Sequence, residues 1–143
     1  MFENDRIKRE DYRYWMAIPI RFSDNDMLGH VNNVLYFRYF EAIVVQFLVE
    51  QAGLRWDADP VVPFAAEVLC RFKRPLTYPG TVDAGLSIGR IGGSSVTYAL
   101  GLFAGDWPEP AALGHFVHVY VDRGTENTAP IPDAIRAVYE RYT

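Results

Sequence analysis

Cysteine is nearly absent, with Cys70 the single example, and there are only three histidines. An intrachain disulfide is excluded, a reducing compartment is the natural setting, and no Cys/His/Asp group has the spacing of a zinc site. Positive charge is also short: 14 Lys and Arg stand against 18 Asp and Glu, for a net charge of −4. That balance gives no basis for general nucleic-acid binding, so any anionic ligand needs a local basic patch. No apolar run approaches the roughly 20 residues that cross a bilayer. The segment Met1 to Glu10 carries charges where a signal peptide needs an apolar stretch. Gly-x-Gly-x-x-Gly, a phosphate loop and a Gly-x-Ser-x-Gly turn are all missing, which leaves dinucleotide binding and an α/β-hydrolase route without support. The expectation is a cytoplasmic protein with no membrane or nucleic-acid partner, no metal and no cofactor.

Apolar side chains, by contrast, make up 50% of the 143 residues, and 15% are aromatic. A chain of this size and composition buries a real core in one domain, 1–143. Tyr12 to Phe22 alternates loosely around Pro19, which predicts an edge strand, because proline cannot donate to a ladder. Ser23 to Asn33 reads as a loop. Val34 to Val49 then carries only Arg38, Glu41 and Gln46 as strongly polar residues. A helix apolar nearly all round is buried on most sides, and Gly53 marks its C-terminal end. A loop from Leu54 to Pro63 follows. The remainder predicts strands over Phe64–Arg74, Thr81–Ile91, Ser94–Phe103 and Ala111–Asp122, with Gly92-Gly93 as a hairpin turn. A short helix over Asp133–Tyr142 is introduced by Pro132. Consecutive antiparallel strands after one buried helix predict an α+β fold, the sheet wrapped around the helix. One sheet leaves a flank of that helix open, and a second copy of the chain is the simplest cover.

Chemistry concentrates in Arg21-Phe22-Ser23-Asp24-Asn25-Asp26-Met27-Leu28-Gly29-His30-Val31-Asn32-Asn33, directly before the apolar helix. Ionisable groups at the mouth of a buried helix are costly, which marks them as candidates for function. A carboxylate beside a helix N-terminus, whose first N–H groups lack partners, suits acyl-group chemistry. Arg71 and Lys73 share one strand face by the period of two, with Arg74 beside them.

The pattern Asp24-x-Asp26-x-x-Gly29-His30-Val31-Asn32-Asn33-x-x-Tyr36, followed by an aromatic-rich helix carrying Glu41, resembles the hotdog-fold acyl-CoA thioesterases of the 4-hydroxybenzoyl-CoA thioesterase type. So do Arg71-Phe72-Lys73-Arg74-Pro75 and the late Val121-Asp122-Arg123…Pro130-Ile131-Pro132. The resemblance implies an α+β hotdog fold and a homodimer or homotetramer with active sites at the dimer interface. It also implies an acyl-CoA substrate, hydrolysed to the free acid and coenzyme A. Residue by residue it makes Asp26 the catalytic acid and the Asn33 backbone N–H the group that polarises the carbonyl. The same segment is similar to plant acyl-carrier-protein thioesterases, which makes His30 an assisting residue. Leu28 stands where those enzymes carry an asparagine. Glu67 lies in the region where some relatives place a glutamate.

Each residue also has a plainer role. Asp26 reads as a cap of the turn before the helix, His30 as a partly buried histidine satisfied by backbone, Asp24 as a structural acceptor of loop N–H groups, and Asn32 and Asn33 as turn and cap residues. Asn32 and Tyr36 are candidate substrate contacts, and Arg71, Lys73 and Arg74 candidate partners for coenzyme A phosphates. Glu41 reads as a helix-surface ion pair with Arg38. His115 and His118 fall on opposite strand faces, and Cys70 is a buried strand thiol. Phe37, Tyr39, Phe40, Phe47 and Trp56 supply aromatic surface for a pocket or for the core. Two other activities fit the same segment less well: a hotdog hydratase or dehydratase, whose acid and histidine are spaced differently, and a non-hydrolytic acyl-thioester binding module.

Overall fold

A computed structural model describes residues 2–143. Five strands form one antiparallel sheet in the order β1-β3-β4-β5-β2, where β1 is Tyr14–Pro19, β2 Val61–Phe72, β3 Thr81–Ile91, β4 Ser95–Ala104 and β5 Ala112–Asp122. The long helix α1, Asn33–Glu50, lies against one face of this sheet, and the short helix α2, Asp133–Glu140, closes one end. Among the described residues no helix is long and apolar enough to cross a membrane.

Alternation assigns the two sheet faces. Leu86 and Ile88 on β3, Tyr98 and Leu100 on β4, and Phe116 and Tyr120 on β5 point toward α1 and join Phe40, Ile43, Val44 and Phe47 in one core. These helix positions recur at the spacing of one helical face. The opposite, outer face is lined by small residues and is crossed by the N-terminal segment. Asn4 is buried there, and its amide nitrogen donates to the carbonyls of Leu100 and Gly114, 3.0 Å each, and to the Tyr12 hydroxyl at 3.1 Å. The glycines beneath it are a packing requirement, since a Cβ on Gly101 would stand 2.8 Å from the Tyr12 ring. Nothing in the sequence pattern announces this strap; its first residues show only scattered charge.

Boundaries shift in instructive places. α1 extends one residue beyond each predicted end. β2 runs from Val61 to Phe72 and not from Phe64 to Arg74. Its proline, Pro63, is accommodated because β2 is an edge strand with β5 as its neighbour. At the other end, the N–H groups of Lys73 and Arg74 both donate to the Ala111 carbonyl, which turns the chain out of the ladder. Lys73 therefore does not share a strand face with Arg71. The β3–β4 turn closes with Gly92 N donating to Ser95 O at 2.7 Å, so its central pair is Gly93-Ser94, one residue later than expected.

α1 is not covered all round. Val34, Phe37, Val45 and Val49 form an exposed stripe along it. Arg38 and Glu41 lie on the same stripe, and among the described residues they form no ion pair, contrary to the expectation for Glu41.

The core contains one polar chain. The Tyr98 hydroxyl stands 3.0 Å from His118 Nδ1 and 2.8 Å from the Tyr139 hydroxyl, which in turn lies 2.6 Å from the Tyr120 hydroxyl. It ties α2 to β4 and β5. Burial lowers the His118 pKa from 6.5 to about 4. Between those values the unfolded chain binds more protons than the folded one, so stability rises with pH and is lost as pH falls from 6.5 toward 4. The expected contribution is about 3 kcal/mol. Unfolding free energies measured by denaturant titration at pH 4.5 and pH 7 should differ in this direction, and His118→Gln should flatten the difference.

Candidate active site

The polar segment folds as a closed loop between β1 and α1. A single 3-10 turn, Phe22–Asp24, leads into it. Asn25 and Val31 pair as an isolated bridge, and the Asp24 carbonyl accepts the Asn32 N–H at 2.9 Å, which closes the base. Within the loop, Asp26 N donates to the His30 carbonyl at 2.8 Å and Gly29 N to the Asp26 carbonyl at 3.1 Å. Gly29 has φ +84°, a left-handed conformation that glycine adopts without strain. The segment after β2 holds the loop from outside. Thr77 Oγ1 donates to the Gly29 carbonyl at 2.7 Å, Tyr78 N to Asn25 Oδ1 at 3.1 Å, and Val31 N to the Leu76 carbonyl at 2.8 Å.

The two acids point in opposite directions. Asp24 is 2% exposed, and its carboxylate accepts from the Tyr39 hydroxyl at 2.8 Å, from Arg21 N at 2.9 Å and from the Arg21 guanidinium at 3.2 Å. Burial alone would raise its pKa. The Arg21 N–H, the Tyr39 hydroxyl and the Arg21 charge outweigh burial and hold it below the ordinary carboxylate value. Asp24 thus takes the structural part expected of it, with a reach into the helix body that the sequence did not suggest. Asp26 is exposed. Its Oδ1 accepts the Leu28 N–H at 2.9 Å, and this is the side-chain bond it makes among the described residues, so Oδ2 is open.

At the helix start, the Asn32 side chain caps α1 by accepting the Val34 N–H at 3.1 Å, and the Asn32 carbonyl accepts the Leu35 N–H at 2.9 Å. Among the described residues no acceptor meets the Asn33 N–H. That donor carries the partial positive charge of the helix N-terminus.

Asp26, His30 and Asn33 line one cleft of about 370 Å³. Tyr36, Phe72 and Leu28 supply its apolar wall, and Lys73 and Arg74 its rim. Tyr36 is buried, and its hydroxyl accepts the Leu76 N–H at 3.0 Å, which fixes the ring against the segment after β2. Asn32 stays at the cap and does not line the cleft. The Arg74 guanidinium carbon lies 3.4 Å over the centroid of the Trp107 ring, a cation–π stack.

Arg71 is not brought to this cleft. Phe72 faces α1, so Arg71 faces the outer side of the sheet, where it pairs with Glu3 at 2.6 Å. Glu67 lies on that outer face as well, 2.7 Å from His115 Nε2, and is likewise separated from Asp26. His118, by contrast, points into the core, so the two strand histidines are on opposite faces. Cys70 is half-buried, and burial raises its thiol pKa to about 12, which suppresses the thiolate. Of the aromatic candidates, Tyr39, Phe40 and Phe47 are core and Trp56 is exposed. The aromatic walls of the cleft are Tyr36 and Phe72; Phe72 is not among the site candidates of the sequence, although the period of two puts it on the same strand face as Cys70. Among the described residues no group of three Cys, His, Asp or Glu side chains is arranged to hold a metal ion.

The sequence profile of the Thioesterase-like superfamily matches residues 20–138, which include the loop, α1 and the whole sheet beyond β1. Among solved structures, the PA5185 protein from Pseudomonas aeruginosa strain PAO1 is 35% identical, with a TM-score of 0.91 over 95% of both chains. Slr0204, a 1,4-dihydroxy-2-naphthoyl-CoA thioesterase from Synechocystis, shares the fold with a TM-score of 0.80 at 12% identity, over 88% of this chain and 94% of its own. The uncharacterized protein YsmA of Bacillus subtilis strain 168 is 24% identical over 89 residues, 62% of this chain and 60% of YsmA's length. A sheet wrapped around one long helix, matched over this span and at this identity, makes the chain a member of the Thioesterase-like superfamily with the hotdog fold.

Proposed function

We propose that the protein is an acyl-CoA thioesterase in which Asp26 and the Asn33 N–H act on the thioester carbonyl. The observation that supports this reading is that Asp26, whose Oδ2 has no partner among the described residues, and Asn33, whose N–H has none either, line one cleft at a helix start. Superfamily membership and the named activity of the Synechocystis protein support thioester hydrolysis as the reaction class.

In this mechanism the acyl carbonyl oxygen accepts the Asn33 N–H, and the helix N-terminus stabilises the negative charge that develops there. Asp26 either takes a proton from an attacking water or attacks the carbonyl itself to form an anhydride that water then opens. In both routes the carbon–sulfur bond breaks and the coenzyme leaves as its thiol. His30 lines the same cleft, and in this reading it orients water or substrate. Asp26→Asn should fold normally and lose nearly all thiol release across acetyl-, isobutyryl-, octanoyl-, palmitoyl- and benzoyl-CoA. Wild-type turnover of any of them by the folded variant refutes the assignment, and the panel itself defines the acyl preference.

In this reading Lys73 and Arg74, which line the cleft, attract the coenzyme phosphates, as a net-acidic protein must do locally. Arg71, occupied by Glu3 on the far face, has no such part. Lys73→Ala should raise KM for the preferred acyl-CoA several-fold, more strongly at low ionic strength, while Arg71→Ala leaves KM unchanged.

The exposed apolar stripe of α1 and the free edge of β2, with Phe64 67% exposed, are the surfaces a second copy would cover. We read the protein as a cytoplasmic homodimer or homotetramer of single domains, 1–143. Sedimentation equilibrium should give a mass of two or four chains, and a monomer mass at micromolar concentration contradicts that reading.

A further inference from the structure

Asp24 bonds in three directions at once. Its carboxylate meets the Arg21 backbone and guanidinium at the entrance of the loop and the Tyr39 hydroxyl inside α1, and its carbonyl takes the N–H of the cap residue Asn32. Tyr39 and Asp24 are 3% and 2% exposed, so solvent does not substitute for these bonds. Two residues further along, Asp26 is tied back to His30 by its own N–H. The loop is therefore short and closed, and its base is fixed through one buried carboxylate to the helix whose first residue, Asn33, lines the cleft.

A buried carboxylate is a costly way to fill space, and apolar side chains of similar volume are often at least as stabilising. Its hydrogen bonds do what apolar packing does not: they fix one orientation of the loop on the helix. From this we infer that the Tyr39–Asp24–Arg21 cluster is a latch that sets the position of Asp26 relative to the Asn33 N–H. Tyr39 and Asp24 are then positioning residues for the reaction; neither lines the cleft. The inference rests on the reading of Asp26 as the catalytic acid. Its expected signature is a loss of kcat without a loss of substrate affinity, because the coenzyme contacts at Lys73 and Arg74 lie on a different segment. Burial and the neighbouring Asp24 charge both raise the Tyr39 pKa, so its hydroxyl donates throughout the working pH range.

The test uses the full chain, the fastest substrate of the acyl-CoA panel, and hydrogen exchange of the backbone amides. Tyr39→Phe should lower kcat about 10–100-fold, the scale expected from small misplacements of reacting groups, with KM within about twofold of wild type. Exchange at the Asp26 and Asn32 amides should accelerate together. Arg21→Gln, at an exposed side chain that leaves the backbone bond in place, should give a smaller change in the same direction; it serves if Tyr39→Phe does not fold. Tyr120→Phe removes a buried hydroxyl bond of comparable burial beside α2. It should lower Tm while leaving kcat and the loop amides unchanged. Wild-type kcat and unaltered loop exchange in folded Tyr39→Phe, or equal kcat losses in Tyr39→Phe and Tyr120→Phe, overturn the latch. An active Asp26→Asn removes the catalytic reading instead, and loop exchange then decides the latch on its own.

Discussion

An eighteen-residue helix with so little polar surface has to bury one broad face, and the packing of that face of α1 on the sheet governs everything else in this fold. The inner faces of β3, β4 and β5 are apolar because they meet that helix, and α2 closes the end they leave open. That packing also isolates the helix start. Asn32 caps the Val34 N–H, no acceptor among the described residues meets the Asn33 N–H, and Asn33 itself lines the cleft. The electrostatic feature that suits acyl chemistry thus follows from how a buried helix must begin.

Polar groups around this start are sorted by direction. Asp24 turns inward and is consumed by Tyr39 and Arg21; Asp26 turns outward and keeps an oxygen unoccupied. On β2 the same sorting follows from alternation. Arg71 and Glu67 go to the outer face, with Glu3 and His115, while Phe72 goes to the cleft. Lys73 and Arg74 reach the rim because the strand has already ended.

Much of this was legible in the sequence. The buried helix stands out because Val34 to Val49 has almost no polar face, and the strands because turn residues separate alternating runs. The concentration of acid, histidine and asparagine marks the loop. What could not be read depends on contacts between distant segments. The N-terminal strap is stabilised by Asn4 bonds to Leu100 and Gly114, about a hundred residues away, and local pattern carries no trace of such bonds. The end of β2 is set by the Ala111 carbonyl, so the expected pairing of Arg71 with Lys73 on one face fails by a single residue. The Tyr39–Asp24 bond joins positions fifteen apart across a loop whose path the sequence leaves open.

The most direct test of the account is a crystal structure with an acyl-CoA analogue in which a methylene replaces the thioester sulfur. Such a ketone keeps the carbonyl and cannot be hydrolysed. The carbonyl oxygen should accept the Asn33 N–H, the carbonyl carbon should lie beside Asp26 Oδ2, and the coenzyme phosphates should lie toward Lys73 and Arg74. A carbonyl bound away from the start of α1, with Asn33 N–H still unpartnered, would contradict the central claim.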